Sequence, residues 1–128
     1  MRCIAIDDEP TARLALGGLL ESLGLVDDAG NARDGLDMIR AAMEASRSDD
    51  LVCLDLSMPG TDGIETLNEI RELDEEVGLA RTGVIMVTSS DDKTDVIEAF
   101  RRQADGYLVK PVSKARLGEA IGRMRRES

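Results

Sequence analysis

The chain has 128 residues, 26 acidic and 16 basic side chains, and a formal net charge of −10; this size fits a single domain over residues 1–128 whose core forms without disulfides or structural metal. The acidity argues against nucleic acid and against anionic membranes, since both are held by basic groups that neutralise phosphates. No apolar run approaches the ~18 residues of a membrane span and no charged-then-apolar leader is legible, so the expected compartment is the cytoplasm, and the absence of histidine excludes any His base, His nucleophile or His metal ligand.

Five short runs predict strands: Cys3 to Ile6, a weaker Leu25-Val26, Leu51 to Leu54, Val84 to Val87 and Tyr107 to Val109. They are continuous rather than alternating, the pattern of strands buried on both faces. Between them lie helical spacings. Leu16, Leu19, Leu20 and Leu23 follow i, i+3, i+4, i+7 and stop before Gly24, placed to take the left-handed position past a helix end. Leu36, Ile39 and Met43 repeat the spacing, as do Ile64, Leu67 and Ile70, then Val96, Ile97 and Phe100, and finally Leu117, Ala120, Ile121 and Met124. Five β-α repeats require right-handed crossovers and give a parallel sheet with helices on both faces. The least periodic stretches, Ser46 to Asp50 and Glu75 to Gly83, read as loops, and Asp62-Gly63-Ile64-Glu65 reads as a capping box at the start of the third helix. Cys3 and Cys53 sit inside apolar runs and are expected to be buried and reduced.

In open α/β sheets ligands bind beyond the carboxyl ends of the strands, and the polar groups of this sequence concentrate there. The first strand runs into Asp7-Asp8-Glu9, the third into Asp55, the fourth into Thr88 and the fifth into Lys110, whereas the second offers no comparable group. Asp8 or Glu9, ahead of Pro10-Thr11, could serve only as a helix cap. Asp55 is too far from the next helix for that. Three mutually close carboxylates repel by on the order of 10 kcal/mol at an effective dielectric near 20. A hard divalent cation offsets that repulsion, and oxygen ligands without His or Cys favour Mg2+ over zinc. With Lys110 and Thr88 as donors for further oxygens, the set describes a carboxylate that accepts a phosphoryl group.

Four segments, Ile6 to Glu9, Leu54 to Gly63, Val87 to Ser89 and Gly106 to Pro111, in this order and spacing, resemble the receiver domain of two-component response regulators over essentially the whole chain. The resemblance implies a flavodoxin-like doubly wound α/β fold, a five-stranded parallel sheet of order 2-1-3-4-5 with five helices. Carried over by position, it makes Asp55 the phosphoacceptor. It places Mg2+ on Asp8 directly, on Asp7 mainly through a bound water, on Asp55 and on the backbone carbonyl of Ser57. Thr88 and Lys110 would bind phosphoryl oxygens, Thr88 and Tyr107 would form the switch, and the Lys110-Pro111 bond would be cis. Ser57 and Ser90 stand where longer side chains often govern hydrolysis of the aspartyl phosphate, and neither offers an amide or carboxylate to orient water; slow self-hydrolysis is expected.

The implied phosphodonor is a sensor histidine kinase or a histidine phosphotransfer protein, and the implied output is a contact with a downstream protein, by a monomer or a phosphorylation-dependent dimer. The domain would phosphorylate and dephosphorylate itself without being an enzyme on an external substrate. Residues 1–99 hold 8 basic and 23 acidic side chains and residues 100–128 hold 8 and 3, so the basic carboxyl-terminal stretch is either solvated helix surface or a docking face for an acidic partner. The chain reads as a stand-alone regulator or as the receiver piece of a larger effector. A Mg2+-dependent phosphatase with an aspartyl nucleophile is the rival class; there the nucleophile follows the first strand with a second Asp two positions on, and here Asp7 is followed by Glu9.

Overall fold

A computed structural model describes residues 1–45, 50–56, 63–78, 81–89, 97–98, 101 and 103–127, the last two by their backbone alone. The elements are β1 (Arg2–Ile6), α1 (Pro10–Leu20), a 3-10 turn (Glu21–Leu23), β2 (Leu25–Ala29), α2 (Ala32–Glu44), β3 (Leu51–Asp55), α3 (Gly63–Val77), β4 (Gly83–Thr88), β5 (Gly106–Val109) and α4 (Lys114–Glu127). The strands form one sheet in the order β2-β1-β3-β4-β5, every neighbouring pair parallel. This is the flavodoxin-like order that the resemblance implied. Among the described residues four α-helices are delimited where five were expected: of the predicted helix around Val96, Ile97 and Phe100, only Ile97, Glu98 and Arg101 are described, in helical backbone.

The side-chain period of two divides the core into two layers. Ile4, Ile6, Val52, Leu54, Val84 and Met86 face α2 and α3, where Leu36, Ile39, Leu67 and Ile70 meet them. Cys3, Ala5, Leu51, Cys53, Ile85 and Val87 face α1 and α4, against Leu16, Leu20, Leu117 and Ile121. Both cysteines are free and buried; burial first, and the neighbouring Cys3 second, push the Cys53 thiol up to about 12. β2 lies at the sheet edge with Leu25, Asp27 and Asp28 exposed, so it lacks the continuous apolar run of the central strands.

Two helix ends differ from expectation. Glu75 to Val77 are the last turn of α3 rather than the start of a loop, because Glu-Glu continues the helix on its solvent side until Gly78 stops it at φ +73°, its N–H donating to the Asp74 carbonyl at 3.0 Å. Gly24, placed in the left-handed position by its spacing, instead has φ 150° and ψ −146°, an extended geometry open to glycine, and its backbone lies against that of Met1. The Asp62 cap lies outside the described residues, while the Lys110-Pro111 bond is cis as expected.

At the amino ends of β4 and β5 a polar cluster ties three segments together. Arg71 on α3 donates to Asp74 at 3.0 Å, to the Thr82 carbonyl at 2.6 Å, to Asp105 at 3.0 Å and to the Gln103 carbonyl at 2.7 Å. Arg81 pairs with Asp105 and donates to the same Gln103 carbonyl. Asp105 also accepts the Val84 N–H, and Asp74 accepts the Thr82 hydroxyl. Two guanidinium groups meet two carboxylates, with hydrogen bonds on every charged group.

Candidate functional site

The opposite end of the sheet is built differently. Asp7 continues the β1 alternation of Cys3 and Ala5, Asp55 continues that of Leu51 and Cys53, and Lys110 follows Leu108 by two, so all three belong to the face shared with α1 and α4. Parallel pairing of β1 with β3, of β3 with β4 and of β4 with β5 brings these groups to one edge of the sheet. Asp7 and Asp55 are 1% and 4% exposed, while Asp8 stands one residue on and is exposed. One oxygen from each of the three carboxylates lies within 4.8 Å of the others.

The Lys110 ammonium bridges the two buried acids, 2.8 Å from Asp7 Oδ2 and 3.3 Å from Asp55 Oδ2. Burial alone would lower its pKa, but the hydrogen bond to Asp7 and the charges of Asp55 and Asp7 outweigh that cost and raise it above the ordinary value of 10.5. The backbone holds the lysine in place, since its N–H donates to the Thr88 carbonyl at 2.6 Å. Asp7 Oδ1 accepts the Glu9 N–H at 3.0 Å. Glu9 turns away from the pocket and caps α1, accepting from the N–H groups of Thr11 and Ala12. The helix-cap role weighed for Asp8 and Glu9 therefore belongs to Glu9, and Asp8 is left to the acidic pocket.

Thr88 ends β4 fully buried, paired in register with Val109 of β5 and one position past Val87, the partner of Asp55. Its parity places it with Val84 and Met86 on the face shared with α2 and α3, and Tyr107, half-buried, packs against that same layer from β5. The two residues of the expected switch thus share one face of adjacent strands. Ser57 and Ser90 lie outside the described residues, so the structure brings together Asp7, Asp8, Asp55 and Lys110, ends β4 with Thr88 one position past the partner of Asp55, and leaves the Ser57 carbonyl undescribed. An apolar cavity of about 340 Å³ opens next to Asp7 and Lys110, walled by Ala12, Leu16, Leu19 and Val112.

Two contributions escaped the sequence reading. β2, which offered no group of its own, reaches the pocket indirectly: Asp28 pairs with Arg13 of α1 at 3.5 Å, and Arg13 donates to the Asp7 carbonyl at 2.9 Å. Nothing in the spacing of Arg13 and Asp28 marks them as partners, because a lone Arg on an amphipathic helix is ordinary surface. The Arg71 cluster escaped for a similar reason, since its members lie up to 34 residues apart.

Hard carboxylate oxygens converging on one point fit a divalent cation of the Mg2+ type, and no thiol or imidazole stands among the described lining to favour a softer metal. The fold and the pocket define a doubly wound α/β protein with a cation-competent acidic site at the carboxyl edge of its sheet. Comparison with known proteins narrows the class: the model of the response regulator receiver domain matches residues 3–122. The nitrate/nitrite response regulator protein NarL of Escherichia coli K12 is 34% identical over 122 residues, which are 92% of this chain and 51% of NarL. Chemotaxis protein CheY-3 of Vibrio cholerae is 34% identical over 125 residues, 97% of this chain and 91% of that protein. Among solved structures, a response regulator receiver domain protein from Clostridium thermocellum superposes with a TM-score of 0.81 at 31% identity, covering 98% of this chain and 95% of the other. The chain belongs to the response regulator receiver domain family. It spans about half the length of NarL and nearly all of CheY-3.

Proposed function

We propose that this receiver takes a phosphoryl group onto Asp55 from a phosphohistidine of a sensor histidine kinase or histidine phosphotransfer protein, in a Mg2+-dependent reaction in the cytoplasm, and then signals to a protein partner. The observation that carries the reading is the convergence of Asp7, Asp8 and Asp55 on one point with Lys110 bridging the buried pair. Structural need does not explain such a set, because an excess of like charge destabilises a fold unless a ligand offsets it.

The residues divide the work. Asp55 is the nucleophile: a carboxylate oxygen attacks phosphorus while the histidine nitrogen leaves. Asp7, Asp8, Asp55 and the Ser57 carbonyl would hold Mg2+, which when bound neutralises charge on the incoming phosphoryl oxygens. Lys110 is held cationic by its acidic neighbours, and it can transfer its contact from Asp55 to a phosphoryl oxygen without leaving Asp7. Thr88 supplies a hydroxyl donor, and its movement toward the phosphoryl group would vacate space on the face where Tyr107 packs, which the Tyr107 ring then fills. That exchange would reshape the surface of β5, α4 and the helix containing Ile97, where Lys114, Arg116, Arg123 and Arg125 are exposed and suit an acidic partner. The domain modifies only itself, so turnover of an external substrate is not expected.

Incubation with acetyl phosphate and Mg2+, followed by intact-protein mass measurement, tests the reading. The wild-type chain gains one phosphoryl mass, and Asp55→Asn or chelation of Mg2+ abolishes the gain. Turnover of added phosphomonoesters, or modification that persists in Asp55→Asn, would overturn it in favour of a phosphatase or another acceptor.

A further inference from the structure

Asp7 and Asp8 are consecutive, so the relative direction of their carboxylates is set by the one peptide that joins them. The carbonyl of that peptide accepts the Arg13 Nη1–H at 2.9 Å. The Arg13 guanidinium is itself anchored, with Nε 3.5 Å from Asp28 Oδ1 near the end of β2. Directly after the strand comes Gly30, where an added Cβ would stand 3.1 Å from Arg13 Nη1, so the missing side chain leaves room for the guanidinium. The turn is fastened to β2 a second time through the Asp7 N–H, which donates to the Ala29 carbonyl at 3.1 Å. One planar fork thus connects the edge strand to the peptide between two acids of the pocket, with the fixed geometry that a guanidinium supplies and a flexible ammonium does not.

We infer that Arg13 is a positioning residue for cation binding: held by Asp28 and given space by Gly30, it fixes the Asp7-Asp8 peptide and so orients both carboxylates toward the shared cation position. The inference rests on the Mg2+ site proposed above. Its electrostatic sign makes it distinctive. A guanidinium this close to an acidic pocket repels a cation, so deleting it for charge reasons alone would tighten Mg2+ binding. If orientation governs, deletion weakens binding despite the lost repulsion, as removal of groups behind metal ligands generally does.

Two readouts on the full chain test this: calorimetric titration with Mg2+ at fixed ionic strength, and amide hydrogen exchange without metal. Arg13→Gln is expected to raise the Mg2+ dissociation constant about tenfold and to speed exchange at the Asp7 and Glu9 amides, leaving those of β3 and β4 unchanged. Arg13→Lys, which keeps the charge and loses the fork, behaves like Arg13→Gln. Asp28→Asn, at an exposed position that leaves the core intact, shifts both readouts the same way by less, and the double variant is no weaker than Arg13→Gln alone. Unchanged or tighter Mg2+ binding in Arg13→Gln, or wild-type behaviour in Arg13→Lys, overturns the inference. Should the wild-type chain itself fail to bind Mg2+, the proposed metal site falls, and unchanged exchange at Asp7 and Glu9 in Arg13→Gln separately removes the positioning role.

Discussion

The two ends of the sheet carry charged clusters of opposite character. At the amino edge Arg71 and Arg81 face Asp74 and Asp105, and backbone carbonyls and amides take up the remaining hydrogen bonds. At the carboxyl edge Asp7, Asp8 and Asp55 face Lys110. The first cluster is balanced and closed: nothing needs to be added to it, and it fastens α3 to the starts of β4 and β5. Among the described residues the second has more negative charge than its one ammonium neutralises, an imbalance that a cation would offset. Charge balance therefore separates a closed polar cluster from an acidic pocket that could take a cation, at opposite edges of one sheet.

Three perturbations sharpen the contrast. Asp105→Ala removes the shared partner of Arg71 and Arg81 and leaves the Val84 N–H without its acceptor; breaking such a nearly buried network is expected to cost about 3–5 kcal/mol in urea unfolding, while the folded fraction still takes phosphoryl label from acetyl phosphate. Lys110→Met is milder. It leaves two buried carboxylates facing each other, an expected loss of about 2 kcal/mol after discounting for the partial exposure of Lys110, and saturating Mg2+ recovers most of it relative to wild type at the same Mg2+, because without the competing ammonium the cation binds the folded variant more tightly. Asp105→Ala, whose acidic pocket is untouched, gains from Mg2+ only what the wild type gains and so recovers nothing relative to it. If Mg2+ rescues both variants equally, the distinction between the two clusters fails.

The smallest effect is a pH slope. The Cys53 thiol is held protonated in the fold up to about 12 against an ordinary value of 9.0, so above pH 9 the unfolded chain releases a proton that the folded chain keeps. The Cys53 contribution to stability is then constant below pH 9 and falls above it at no more than about 1.4 kcal/mol per pH unit. Lys110, also raised, acts in the same direction from about pH 10.5 upward. Urea midpoints between pH 8 and 11 should show the decline, and Cys53→Ala should flatten its first part at the cost of a lower starting stability.

The central strands and the acidic site were legible because both follow from local rules. A strand buried on both faces must read as a continuous apolar run, as β1, β3 and β4 do, and a carboxylate that ends such a run has few structural reasons to be there. β2 was faint because an edge strand can expose Asp27 and Asp28. The last turn of α3 was misread because Glu75 and Glu76 lack an apolar partner in register, although the backbone continues until Gly78. Arg13, Asp28 and the Arg71 cluster could not be seen, since contacts between distant residues leave no periodicity in the chain. Ser57 and Asp62, the expected helix cap, fall outside the described residues, so the expected metal contact of the Ser57 carbonyl rests on the resemblance alone.

The chain divides cleanly at Gly78, the left-handed residue that closes α3. Asp7, Asp8 and Asp55 all precede it, and Thr88 and Lys110 all follow. Neither half alone holds both the acids and the ammonium that bridges them, and β3 and β4, which run side by side in the middle of the sheet, would come from different pieces. Two polypeptides cut at that turn would carry complementary parts of one reactive centre, so phosphoryl uptake would report their reassembly, and the domain could be rebuilt as a two-part sensor of proximity between any proteins fused to its halves.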